Sequence, residues 1–539
     1  MQYRTLRLLM PLSVLALLLT SCVGQNPVPP TPLDPASLLS TTPAGSKEVE
    51  LVRWNLPYEP MSLDPMKSFN YAENTALANM CESLMRLNPD LSISPGLAGK
   101  VEFPDDTTIV YTVRDGVKFW DGSDLTAEDV SYSIGRQAGP ESPSYFSDYF
   151  LNVDSATVTG EREVTVKLAR PDALFAQGMA SAAGAIVQKK ATEASGSEFG
   201  TPQGNLQCTG PYQLDEWNSG KSMELSRFDG YWDDSLPLHV EKLSLSFIAD
   251  ESTAVNALRS GSVDGQFFYL PPAGMSQMTG SEAVDVAYGK SLVFFTLRGT
   301  SAEGPFADPR IRKALSLVMD RDAMSRVILQ GSAIGAGTMA GPDYWGDQAE
   351  IFEQAADPHA GDMDVEQAKA LVADYGKFEK PIVIALQGSS AVHEQLANVI
   401  QAAAKAIGIP VETQVIPVEQ FGNLYFDESA RKGLDAFFTS YYGNVPDPLD
   451  VYQVFRKSNS SNFSGWDAAD GILNQAMSTV DARERAELTV KAQQLVQDQQ
   501  PWITISYLPN IVVQNSKISG ATASFAYLYY PWAATIGGK

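Results

Sequence analysis

The stretch Thr107-Thr108-Ile109-Val110-Tyr111-Thr112-Val113-Arg114-Asp115-Gly116-Val117-Lys118-Phe119-Trp120-Asp121-Gly122 carries the clearest local instructions in the chain. Ile109, Tyr111 and Val113 alternate, which predicts a strand with one buried face. Asp115-Gly116 turns the chain into residues 117–120, and Asp121-Gly122 turns it again, because glycine accepts the positive φ that such turns need. Thr126 follows with Asp129 three residues on, a pair whose side chain and backbone can cap the start of a helix. These residues build scaffold and carry no chemistry of their own.

Outward from this stretch, short β runs and amphipathic helices alternate from Val49 onward, which predicts an α/β chain with more than one sheet. Asp308-Pro309 opens a further helix with a capping acid and proline at the first helical position. Ile311, Leu315, Val318 and Met319 then recur at helical spacing as a core stripe. Two more helices are predicted around residues 393–407 and 483–497. At 539 residues the chain has room for three or four structural units. Its 44% hydrophobic and 19% charged residues are a globular composition. With 39 Lys and Arg against 64 Asp and Glu, the formal charge of -25 would repel a phosphate backbone, which argues against nucleic-acid binding.

The N-terminus has the order of an export signal: Arg4 and Arg7, then an apolar stretch from Leu8 to Leu19, then Leu19-Thr20-Ser21-Cys22. A dozen apolar residues are too few to span a bilayer, for which about 18–20 are needed. Leu-Thr-Ser-Cys looks like a bacterial lipobox, so residues 1–21 are expected to be removed and Cys22 to carry lipid. Cleavage takes away two arginines and no acid, moving the charge from -25 to -27, so the anchor would be the lipid and not charge. Residues 22–45 hold six prolines and read as an extended, solvated tether. The body is thus expected on the extracytoplasmic side, held to the cell membrane through the lipid alone. After Cys22 only Cys81 and Cys208 remain. On an oxidising side they either pair, closing a long loop, or stay as two separate buried thiols.

Catalytic and metal signatures are missing. None of His239, His359 and His393 stands four residues from another, so no zinc-protease helix is formed. Gly335-Ala336-Gly337 reaches Ala340 where a dinucleotide fingerprint needs glycine. Ser219-Gly220-Lys221-Ser222 has Asp215 where a phosphate loop needs glycine. There is no Gly-x-Ser-x-Gly elbow. The chain is therefore expected to be no enzyme and to hold no cofactor and no metal.

Asn88-Pro89-Asp90, Pro95-Gly96-Leu97-Ala98, the stretch 111–122 and Leu125-Thr126-Ala127-Glu128-Asp129-Val130 together resemble the signature of the family 5 extracytoplasmic solute-binding proteins. These are the oligopeptide, dipeptide and nickel receptors of ABC importers. Further pieces follow in the family's order: Thr209-Gly210-Pro211-Tyr212 with Tyr231-Trp232, then Pro305-Phe306 with Arg310-Ile311-Arg312-Lys313-Ala314-Leu315 and Asp320-Arg321, then Asp447-Pro448. The resemblance runs from about residue 49 to the C-terminus. It implies a two-lobed, periplasmic-binding-protein-like (type II) α/β fold with an extra subdomain on lobe I. Lobe I would comprise residues 46–86, 205–287 and 507–539, the subdomain 87–204, and lobe II 288–506, with chain crossings near 288–293 and 503–507. Both cysteines would then fall in or at the edge of lobe I, which favours a Cys81–Cys208 disulfide.

By the same resemblance the protein is a monomeric receptor that closes on a small-molecule or peptide ligand and delivers it to ABC permease subunits. A peptide leads, with an oligosaccharide or other amine-free solute as the alternative. A sensor lipoprotein or a secreted hydrolase would be the reading from another class. In peptide-binding relatives a Trp-x-x-Asp-Tyr-x-Asp-Pro run supplies a carboxylate to the peptide amine. Here Tyr441 replaces the aromatic and Asn444 the acid, so either Asp447 or Asp450 takes over or the ligand has no amine there. Further ligand-binding candidates by position are Asn70, Tyr71, Tyr269, Tyr344, Trp345, His393 and Tyr442. One of Phe267 and Phe268 is expected in the core, and His393 has an alternative as a surface or capping residue.

Overall fold

A computed structural model describes residues 33–539 apart from 140, 141, 302, 358 and 389. Cys22, the signal segment and the first part of the tether lie outside the described residues.

Two long antiparallel strands, Val284–Gly299 and Trp502–Asn515, form the spine of the molecule. On one side of the spine, Gly265–Phe268, Val49–Leu56, Val240–Phe247, Ser222–Arg227 and Tyr212–Asn218 extend the sheet to make lobe I. On the other, Ala436–Tyr442, Ile382–Gln387 and Val411–Ile416 extend it to make lobe II. The spine pairs without interruption up to Gly289 opposite Asn510, and resumes with Val293 opposite Leu508. Pro509 stands in that gap. Proline has no N–H to give to a ladder, so the regular pairing lapses where the chain passes between lobes. The architecture is thus a two-lobed α/β fold whose lobes are joined by two strand crossings.

The stretch that opened the sequence reading lies in a separate four-stranded antiparallel sheet, Ala98–Asp105, Thr108–Val113, Glu163–Leu168 and Val153–Gly160. Ile109, Tyr111 and Val113 are buried as their alternation predicts, and Tyr111 pairs with Val164. Gly116 and Gly122 both adopt positive φ in their turns. Thr126 and Asp129 form both halves of the capping box on the helix Ala127–Gln137.

The signature pieces meet in space. The Trp120 indole donates to the Gly210 carbonyl at 3.0 Å. Thr209 and Trp232 donate to one oxygen of buried Glu82, at 3.1 and 2.8 Å, and Tyr231 to the other at 2.9 Å. Arg86 completes this network with ion pairs to Glu82 and Asp233. Cys81 and Cys208, adjoining Glu82 and Thr209, are joined as a disulfide. In lobe II the helix Pro309–Ser316 starts on the Asp308 cap, and Arg312 is buried with its guanidinium on the carbonyls of Phe306, Ala307 and Gln499. The motifs that carry the resemblance are therefore structural.

The tether expectation needs one correction. The Leu39 N–H donates to the Tyr288 carbonyl at 2.9 Å and its carbonyl accepts from Lys290 at 3.0 Å, beside the crossing. Thr42 is buried and bonded to Ala521, Gln514 and Gly520. Residues 39–45 are laid along the body by these bonds, so this part of the 22–45 segment is not an extended, solvated tether.

Candidate ligand-binding cleft

The lobes meet in a polar and aromatic interface, to which the segment just ahead of the strand Val153–Gly160 also contributes. From lobe II, the Tyr442 hydroxyl donates to the Phe69 carbonyl of lobe I at 2.7 Å. The Tyr529 hydroxyl, from the C-terminal part of lobe I, donates to Asn444 Oδ1 at 2.7 Å. Tyr149, in the short helix Ser147–Phe150, donates to Asp450 Oδ1 at 2.5 Å and lies 3.4 Å from Asn444 Nδ2. Gln177 reaches Asp447 at 3.0 Å. At the rim the rings of Phe69, Tyr145 and Phe426 close on one another at 4.5 to 5.1 Å between centroids. This is a closed state, held by bonds that opening would break.

On the lobe I side the short helix Tyr71–Leu77 forms the wall. Asn70 caps it, its side chain accepting from the Tyr71 N–H at 2.9 Å. The Tyr71 ring stacks on Tyr269 at 4.3 Å and meets Tyr442 edge-on at 5.4 Å. Tyr71 and Asn74 have Ser440 and Tyr442 of lobe II as their neighbours across the cleft, which leaves Glu73 Oε2 as the unpaired atom of this turn among the described residues. Glu73 is 2% exposed, its Oε1 accepts from the Met61 N–H at 3.0 Å, and burial raises its pKa.

Asn70, Tyr71, Tyr269, Tyr442 and Asn444 are thus brought together where the lobes meet, whereas the other candidates are used in packing. Tyr344 is buried, its hydroxyl donating to the Leu292 carbonyl and accepting from the Gly443 N–H, so it ties the crossing to lobe II. Trp345 packs on Phe352, Ala486 and Val490 in a satellite core. Tyr441 stands edge-on to Trp502 at 5.0 Å within lobe II. Neighbours on a strand point to opposite faces, which separates Tyr441 from Tyr442. Phe267 and Phe268 are both buried, where one was expected.

His393 is neither a surface residue nor a ligand group. It is 3% exposed among Phe295, Phe421 and Phe438, its Nδ1 accepts from the Gln387 N–H at 3.1 Å, and burial lowers its pKa to about 4. Asp447 caps the helix Pro448–Tyr452 and pairs with Arg485 at 3.2 Å. Asp450 accepts from Tyr149, Gln453 and the N–H groups of Asn444 and Val445. Neither acid is left to replace the one that Asn444 lacks.

Asp450 makes a pH prediction. Burial pushes its carboxyl up to about 6, outweighing its hydrogen bonds, whereas an unfolded Asp titrates near 3.9. The folded state therefore holds this proton more tightly, and the group's destabilising charge is relieved as pH falls from about 6 to 4. His393 acts in the opposite sense, since its depressed folded pKa makes the unfolded state the better proton acceptor below about 6.5. The expected result is isolated by difference: between pH 7 and pH 4, wild type should gain about 2 kcal/mol over Asp450→Asn in urea unfolding. Parallel curves for the two proteins would contradict it.

Two lobes meeting across a polar and aromatic interface have the form of a solute-binding clamshell. The model of the bacterial extracellular solute-binding proteins, family 5 Middle, matches residues 92–463, and the chain belongs to that family. It is 24% identical over 502 residues to the dipeptide-binding protein DppE of Bacillus subtilis, covering 88% of this chain and 90% of that one. Among solved structures, the oligopeptide-binding protein AppA of Bacillus subtilis in complex with a nonapeptide aligns with a TM-score of 0.78 at 18% identity, over 92% of this chain and 99% of that one. AgaA from A.tumefacien R10, in complex with agropinic acid, aligns with a TM-score of 0.78 at 20% identity, over 91% of this chain and 99% of that one.

Proposed function

We propose that this protein is an extracytoplasmic receptor, anchored through lipid on Cys22, that encloses a peptide between its lobes and delivers it to an ABC import permease. The observation that carries the reading is the interlobe surface itself. Hydroxyls and amides from both lobes and from Tyr149 converge there. Membership of the solute-binding family supports it, as do relatives named for dipeptides and oligopeptides. In this reading lobe I comprises residues 46–86, 205–287 and 507–539, the subdomain 87–204, and lobe II 288–506. The protein performs no chemistry on its ligand. Ligand bridging both lobes stabilises the closed state by its differential affinity for it.

A second reading, an amine-free solute, rests on Asn444, whose amide is bonded to Tyr529 and Tyr149 and brings no charge. Scattering from refolded, ligand-free protein tests the receptor role. Adding a peptide digest should shrink the radius of gyration as the lobes close about Pro509. An unchanged radius across peptide and sugar pools would overturn it.

A further inference from the structure

We infer that Phe69, Tyr145, Phe426 and Tyr442 form an end wall of the cleft that limits how long a ligand the closed protein holds. This rests on the peptide reading above and adds a length limit to it. The wall is built around Phe69 of lobe I, whose carbonyl and ring both meet groups from across the cleft. The carbonyl accepts from the Tyr442 hydroxyl of lobe II at 2.7 Å. The ring meets Phe426, from the lobe II segment between the strands Val411–Ile416 and Ala436–Tyr442, edge-on at 5.0 Å. Tyr145, held beside Phe69 by its own N–H on the Met66 carbonyl at 3.0 Å, touches both rings, at 4.5 and 5.1 Å.

These distances leave no passage. A peptide strand lies about 4.7–4.9 Å from each hydrogen-bonded neighbour, so threading one between two walls takes roughly 10 Å. Here a hydroxyl of one wall is in direct contact with a carbonyl of the other, and the three rings stand at the packing distance of aromatic pairs. An extended chain lying between the lobes therefore has to stop short of Phe69.

The wall also marks the outer limit of the cleft. Phe426 and Tyr145 remain 55% and 40% exposed, so they meet the cleft on one side and water on the other. Phe426 takes no part in the hydrophobic cores among the described residues, and its ring is used where the lobes meet. Tyr442 is backed by Tyr71 and Phe525, edge-on at 5.4 and 5.2 Å, which holds its hydroxyl on Phe69. A ligand long enough to protrude here would hold the lobes apart by the width of a strand. It would forfeit the Tyr442 bond and the ring contacts between the lobes together, so closure selects ligands that end inside.

The test offers a casein digest spanning dipeptides to decapeptides to ligand-free mature protein, with retained peptides released and their lengths read by mass spectrometry. Wild type should show a sharp upper limit of length. Phe426→Ala combined with Tyr442→Ala removes the lobe II half of the wall, and the limit should rise by two residues or more. A tyrosine side chain is about as long as two residues of extended chain, at ~3.3–3.6 Å each. Phe426→Ala alone, at an exposed position, should already enrich peptides beyond the wild-type limit at least tenfold, and an unchanged melting temperature confirms the fold of each variant. Wild type retaining every length alike, or a limit that stays put in both variants, would overturn the wall and leave the peptide reading standing. Retention lost at every length in the variants would overturn it as well, since these side chains would then be binding groups and not a limit. Retention of nothing by wild type would overturn the peptide reading and the wall together.

Discussion

Replacing Cys81 and Cys208 together by alanine is expected to lower the unfolding free energy by about 4–5 kcal/mol. The bonded cysteines are 127 residues apart, and in the chain-entropy model a closed loop of that length restricts the unfolded chain by about this amount. The loop contains the whole four-stranded subdomain, so the bond limits how far that body drifts from lobe I when unfolded. Both positions are buried, at 6% and 0% exposure, and alanine leaves no polar group behind. The measurement is guanidinium unfolding of the double variant against wild type, with thiol reduction of wild type as the parallel arm. A loss under about 1 kcal/mol would mean that the Glu82 network fixes the loop even in the denatured ensemble.

The second large effect is expected at Arg321, where Arg321→Met should cost about 3–5 kcal/mol. Its guanidinium is buried and donates to the carbonyls of Thr504 at 2.8 Å, Ser316 at 2.9 Å and Gly361 at 2.9 Å, and to the Ser316 hydroxyl at 2.8 Å. One planar fork thus joins a spine strand, the end of the helix Pro309–Ser316 and a distant loop. Methionine fills similar volume but leaves those acceptors unpaired inside lobe II. Because Arg321 touches none of the cleft groups, ligand affinity of the folded variant should match wild type, and a changed affinity at unchanged stability would contradict this account.

These two cases explain what was legible in the sequence. The Asp115-Gly116 and Asp121-Gly122 turns, the Thr126 cap and the Asp308-Pro309 start are local events, governed by residues a few positions apart, and the structure follows them. The signature pieces 209–212, 231–232 and 320–321 were legible as a pattern, but their role was not, since Glu82 and the Thr504 carbonyl reach them only through the fold. The cleft was legible in part for the same reason. Asn70 and Tyr71 pointed to the right helix, and Tyr442 and Asn444 to the right strand end. Tyr344, Trp345 and His393 were placed near the site by chain position, which does not say where a side chain points. Glu73 was missed because one acid among 64 carries no mark; what sets it apart is burial, which only the fold provides.

Native mass spectrometry of the mature protein, purified from cells grown in peptide-rich medium and then released by denaturation, tests the central claim most directly. The account predicts a mass above that of the chain, dispersed over peptides of different composition with free N-termini, and its disappearance after unfolding and refolding without ligand. The mass of the chain alone, unmoved when a peptide digest is added back, would contradict it.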